Sequence, residues 1–227
     1  MEFLNSADFW IGLVKIVWIN IILSGDNAVV IALAARSLPP AQQKQAIMFG
    51  SGAAVVLRIV LTIVAAKLLE LSFLQVVGGC LLLWIGYQLL TGAEDGEGES
   101  KGNGSMLVAI RTILIADLVM SLDNVIAVAA TAQGNMVLLI LGLAISIPLV
   151  IFGSTLMIKL MERFPIIITL GAALIGWVGG ETIVNDNLLH GVAMAHPWLH
   201  YVAAATGAVL VVAVGKWMQG RQAATNA

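Results

Sequence analysis

Residues 21–34 read ILSGDNAVVIALAA, in which Ser24, Asp26 and Asn27 stand alone among apolar neighbours. Residues 119–130, VMSLDNVIAVAA, repeat that trio as Ser121, Asp123 and Asn124, and Asp117 precedes the second trio as Asn20 precedes the first. An ionised side chain at mid-bilayer costs at least ~2.5 kcal/mol even on the gentler insertion scales, so three acids in such surroundings need a positive partner. Carboxylates, Asn carbonyls and Ser hydroxyls form an all-oxygen donor set, which suits hard divalent cations such as Mn²⁺, Mg²⁺ or Ca²⁺; Zn²⁺ or Cu⁺ would recruit His or Cys. The candidate metal ligands are therefore Asp26, Asn27, Asp117, Asp123 and Asn124, with Asn20, Ser24 and Ser121 in support. The ion is expected as a substrate, with no permanently bound cofactor.

The surroundings of these residues are a membrane. Hydrophobic residues make up 60% of the 227 and charged residues 11%, against about a quarter charged in soluble domains. Mean hydropathy is +1.00. A hydrocarbon core of ~30 Å needs roughly 20 apolar residues per helix, which predicts about seven spans. They fall near residues 9–35, 45–69, 73–91, 106–131, 136–161, 165–183 and 199–218. The fold class expected is all-α and polytopic, a single transporter domain over residues 1–227. The acidic start, with Glu2 and Asp8, lacks the basic opening of a cleavable secretory signal. Cys80, the lone cysteine, reads as a small packing residue.

Arg36, Lys44, Lys101, Arg111, Lys159, Arg163, Lys216 and Arg221 collect on one side of the expected spans, whereas the other side has Lys67 near a helix end. Positive loop residues resist translocation, which places the N-terminus outside and the C-terminus in the cytoplasm. The Gly-rich, acidic stretch 93–105 then reads as a cytoplasmic linker.

The chain also resembles itself. Asp26-Asn27 aligns with Asp123-Asn124, Gly50 with Gly142, Gly78 with Gly171, Trp84 with Trp177 and Gly86 with Gly179. Repeat A spans residues 8–92, repeat B residues 106–184, and an extra helix, residues 199–219, stands outside. Three helices per repeat put the second copy into the membrane from the opposite face, an inverted 3+3 arrangement whose binding sites lie near the midplane on interrupted helices. Gly25 and its polar neighbours predict such an interruption, weaker in the copy, where Leu122 replaces Gly25. With helix centres at Ile22 and Val119, a rise of ~1.5 Å per residue puts Asp26 about 6 Å and Asp117 about 3 Å on one side of the midplane, and Asp123 and Asn20 correspondingly on the other.

Other readings compete. Lys15 and Arg58 also lie inside expected spans and would pair with an Asp structurally, although two cations do not offset three acids. Arg58 is alternatively a stand-in for the cation in the empty site. Glu181, near the outer end of its helix, is a candidate relay or an interfacial residue. His190, His196 and His200, with Asp186, sit in or beside the last external loop, where a metal-loading scaffold for secreted proteins would carry its ligands. An exporter of amino acids or other small solutes would need a counter-charge for a carboxylate, for which Arg58 is the deep candidate. Neither a nucleotide-binding motif nor an HExxH helix occurs, so no enzyme activity is expected. The net charge of −2 points to no nucleic-acid partner. The partners expected are a divalent ion and the lipid bilayer, with oligomeric state left open.

LSGDNAVVIALAA together with ADLVMSLDNVIAVAA, in two three-helix halves plus a seventh helix, resembles the TerC family of integral membrane proteins, most closely its YjbE-like branch, within the LysE-type exporter group. The resemblance implies metal-ion export, chiefly of manganese, with Asp26, Asn27, Asp123 and Asn124, and Asp117 in the second copy, at the ion site. Members of this branch often have an acid where this chain has Asn20. The resulting expectation is an Mn²⁺ exporter that alternately exposes this site, with proton exchange as the energy source.

Overall fold

The computed structural model describes residues 7–23, 25–68, 71, 73–92, 105–132 and 136–225. Among them every regular element is helical: α1 (Ala7–Leu23), α2 (Gly25–Ala35), α3 (Pro40–Leu68), α4 (Leu74–Thr91), α5 (Met106–Ala132), α6 (Met136–Arg163), α7 (Ile166–Val184), α8 (His190–Ala195) and α9 (Trp198–Thr225). Helices are what long apolar runs must form in lipid, where no water satisfies a free backbone group.

Prolines and glycines set several ends. Pro40 opens α3 at a position whose missing N–H would have had no helical acceptor. Gly92 closes α4 in the left-handed region, φ 68°, and donates its N–H to the Gln88 carbonyl. Pro148 lies inside α6, where it removes one intrahelical amide. α5 runs unbroken through Leu122, Asp123 and Asn124. The interruption expected at the first trio centres on Ser24, which lies outside the described residues; α2 begins directly after it.

Among the described residues, five stretches are long and apolar enough to cross a membrane: Pro40–Val64, Leu74–Thr91, Val137–Arg163, Ile166–Val184 and Trp198–Arg221. Phe9–Trp18 and Gly25–Ala35 are shorter apolar helices. The outward faces carry large apolar side chains, among them Val14, Trp18, Phe152, Val209 and Trp217. Cys80, read from sequence as a small packing residue, is exposed on this outer face of α4. An apolar outer face gains nothing from hiding a small thiol, because lipid solvates it as well as the protein interior does.

The interior is built from α2, α3, α4, α5, α6 and α7, where Leu33, Ile47, Leu82, Ile113, Val119, Ile158 and Ile175 meet. A smaller cluster joins α1 to α6 through Ile16 and Leu143. Helix axes approach closely where side chains vanish. A Cβ at Gly50 of α3 would stand 2.9 Å from Ile113 Cδ1 of α5, and one at Gly176 of α7 would stand 2.6 Å from the Gly207 carbonyl oxygen of α9.

Candidate functional site

The Gly50–Ile113 contact draws α3 against α5, and the polar residues follow from it. Two turns beyond Gly50, α3 carries Arg58; one turn beyond Ile113, α5 carries Asp117. Arg58 donates from Nη2 to Asp117 Oδ1 at 2.8 Å and from Nε to Ser121 Oγ at 3.0 Å. Ser121, one turn past Asp117, donates to Asp117 Oδ2 at 3.2 Å. Arg58, Asp117 and Ser121 are 4%, 7% and 0% exposed. A buried pair of this kind balances desolvation against mutual attraction, and losing one partner typically costs ~3–5 kcal/mol because the other charge is stranded.

Beside the pair lies a cavity of about 20 Å³, lined by Asn27 of α2, Ser51 and Arg58 of α3, Asp117 of α5 and Ser146 of α6. That is room for one water or one bare ion. The Ser146 hydroxyl donates back to the Gly142 carbonyl at 2.9 Å. Asn27 Oδ1 and Ser51 Oγ are buried and have no hydrogen-bond partner. Two buried oxygens without partners at one small cavity are what a bound cation would explain, since an unmet polar group costs about 1–3 kcal/mol.

Asp26 lies in the first turn of α2 and is half-buried; its Oδ1 accepts the Asn27 N–H at 2.8 Å. Its carboxylate is close enough to feel the attraction of Arg58 and the repulsion of Asp117. The fold thus brings Asp26, Asn27, Asp117, Ser121 and Arg58 to one locality. Asn124, two turns past Asp117 on α5, is half-buried and does not line the cavity. Glu181 is exposed on α7 and Lys15 is exposed on α1. The side chains of Asp123 and Asn20, and all of Ser24, lie outside the described residues. Among the described residues no three His, Cys, Asp or Glu side chains cluster.

Ser51 and Ser146 were not singled out from sequence. Ser51 stands seven residues before Arg58, hence on the same helix face, and that spacing is the signal by which it was findable. Ser146 carries no comparable mark.

Asp186, grouped with the loop histidines as a candidate ligand, has another role. Its Oδ1 accepts the N–H of Phe73 (3.1 Å) and of Leu188 (3.0 Å), and its Oδ2 accepts those of Gln75 (3.0 Å) and Val76 (3.2 Å). Burial pushes this carboxyl up, yet the four amides together hold it below the ordinary carboxylate range. His196 is exposed with its ring 6.0 Å from that of Trp198, His200 is half-buried, and the His190 side chain lies outside the described residues.

This chain is 49% identical to the uncharacterized membrane protein YjbE of Bacillus subtilis over 182 residues, 80% of this chain and 83% of that protein. It is 26% identical to the inner membrane protein YoaE of Escherichia coli over 209 residues, 84% of this chain but 40% of that longer protein. Escherichia coli YgdQ, also named an inner membrane protein, is 24% identical over 204 residues, 82% of this chain and 86% of that one. No solved structure matches. The family model of integral membrane protein TerC matches residues 5–223, nearly the whole chain, and the chain therefore belongs to the TerC family of integral membrane proteins.

Proposed function

We propose that this protein exports hard divalent cations, Mn²⁺ foremost, across the bacterial inner membrane, and that it is a transporter of the LysE type rather than an enzyme. The reading rests on the one-ion cavity at which Asp117, Asn27, Ser51 and Ser146 converge from four helices, with Asp26 alongside. All their acceptor atoms are oxygens, the donor type of hard divalent ions. Asp123, Asn124 and Asn20 would form the corresponding second layer. The cation would be released outward by alternating exposure, and proton exchange is the proposed energy source.

The architecture proposed is seven spans, with repeat A (residues 8–92) and repeat B (residues 106–184) inverted about the membrane plane and α9 outside them. The N-terminus is outside and the C-terminus cytoplasmic. Contacts with exchanged roles support the repeat. Gly50 of the first half lies against Ile113 of the second, and their counterparts, Gly142 and Ile16, also lie against each other. Gly79 likewise faces the Gly179 carbonyl while Gly86 faces that of Ala172.

Two observations weigh against an organic substrate. Sites for small molecules usually enclose about 300–1,000 Å³, far more than this cavity. The guanidinium that would hold a substrate carboxylate already holds Asp117. The metal-loading alternative loses Asp186, whose oxygens take backbone amides. Purified protein in liposomes should carry Mn²⁺, driven by a pH gradient, and Asp117→Asn should lose that flux. Amino-acid flux without metal flux would overturn the proposal.

A further inference from the structure

We propose that Arg58 is a built-in competitor for the transported cation: its guanidinium occupies Asp117 in the empty site, leaves when a divalent ion enters, and thereby excludes monovalent ions. This rests on the metal-export reading above and assigns the site its selectivity.

The geometry carries the proposal. The guanidinium holds Asp117 Oδ1 and Ser121 Oγ and lines the same cavity as the partnerless Asn27 Oδ1 and Ser51 Oγ. A cation drawn to those two oxygens would take Asp117 as its nearest carboxylate. A guanidinium and a metal ion cannot share that carboxylate at close range in a dehydrated site without strong repulsion.

Charge balance then decides which ions gain entry. With both carboxylates ionised, Asp26, Asp117 and Arg58 together carry one negative charge. Adding a divalent ion beside the guanidinium would leave a net positive charge, which a buried site disfavours. Replacing the guanidinium by the divalent ion leaves the two carboxylates neutralised. Replacing it by Na⁺ or K⁺ exchanges one positive charge for another, while the protein gives up the hydrogen bonds of the guanidinium and the ion gives up water. The divalent exchange gains electrostatically and the monovalent exchange does not.

Because Arg58 must withdraw first, the apparent affinity for Mn²⁺ is the intrinsic affinity reduced by the fraction of molecules in which it has withdrawn. Removing the arginine removes that reduction. It also opens the two carboxylates to monovalent ions.

The test is an Mn²⁺ binding isotherm on purified full-length protein, read by the paramagnetic resonance signal of free Mn²⁺. Each protein is measured in NaCl and in choline chloride at equal ionic strength, about 0.15 M. Wild type should bind equally in the two salts. Arg58→Gln should bind at least ~10-fold more tightly in choline chloride, and NaCl should weaken its binding. Arg58→Lys keeps the positive charge but loses the forked grip, so it should bind about 2- to 5-fold more tightly than wild type and remain indifferent to Na⁺.

A folded Arg58→Gln that binds Mn²⁺ no more tightly than wild type, or that ignores Na⁺, overturns the role of Arg58. Should the Gln variant not fold, Arg58→Lys decides alone, and affinity equal to or weaker than wild type overturns the proposal. Wild-type protein that binds no Mn²⁺ at all instead defeats the export reading, whereas wild-type binding with an unaltered Arg58→Gln defeats only the competitor.

Discussion

Asp186, two residues past the end of α7, accepts the backbone N–H of Gln75 in the first turn of α4 at 3.0 Å. The same carboxylate takes the N–H of Phe73, whose φ of 70° makes it the one non-glycine with positive φ among the described residues. A left-handed residue costs roughly 1–2 kcal/mol, and the charged acceptor offsets that cost while satisfying amides at the start of α4. Asp186 thereby ties the start of α4 to the end of α7. Because its pKa in the folded protein is depressed, its contribution is present at pH values above the unfolded pKa, about 3.9, and is lost as pH falls through the folded value. At neutral pH, Asp186→Asn should be less stable by about 1 kcal/mol, a typical loss for a helix cap. Below about pH 4 the wild-type advantage should shrink. Thermal melts in detergent across that range check this, and a constant gap between the two proteins would refute it.

Asp26→Asn and Asp123→Asn should each abolish Mn²⁺ efflux from cells while the protein still inserts and folds. Each removes charge that a dehydrated divalent ion needs, yet also relieves the cost of burying a carboxylate. Near-normal efflux from both variants would leave structural ion pairing as the better account of the acids.

Ser51→Ala should raise stability and lower affinity together. The hydroxyl is 2% exposed and lacks a hydrogen-bond partner, so its removal should stabilise by about 1 kcal/mol. As a candidate ligand oxygen it should also be missed by the ion. Parallel melting curves and Mn²⁺ isotherms read the two effects, and an unchanged affinity would remove Ser51 from the site.

Gly176→Ala places a methyl group 2.6 Å from the Gly207 carbonyl and should destabilise by about 1–3 kcal/mol through forced separation of α7 and α9. Gly52→Ala meets nothing within 4 Å inside α3 and should be neutral, or stabilising by about 0.5–1 kcal/mol. The comparison of their melting temperatures separates close packing from helix propensity; equal shifts would contradict it.

The proposed topology rests on the Lys and Arg asymmetry. With Cys80 replaced by Ala, Met194→Cys should react with a membrane-impermeant thiol reagent on intact cells, and Gly102→Cys should react only after the membrane is opened. The reverse pattern would invert the proposed orientation.

Much of this protein is legible along the chain. The transfer free energy of an apolar run is a sum over its own residues, so composition alone marked the five long apolar helices among the described residues as candidate spans. The two Ser, Asp and Asn trios were visible for the complementary reason, because each polar residue is costly among such neighbours. Asp26, Asn27 and Asp117 stood out as candidates without knowing what they touch.

Which residues meet was decided only by tertiary structure. Lys15 and Arg58 were equivalent as internal cations until α3 packed on α5 through Gly50 and Ile113, after which Arg58 faced Asp117 while Lys15 stayed on the outer face of α1. Ser51 and Ser146 became candidate ligands because four helices turn them toward one cavity. Asp186 became a cap because the chain returns past α4. The physical reason is common to all three. A span whose outer face meets lipid and whose inner face meets protein is apolar on both, so its sequence carries little of the polar and apolar alternation that would reveal its rotation. That rotation is set by close contacts between partners distant in sequence, and it chooses which polar groups share a site.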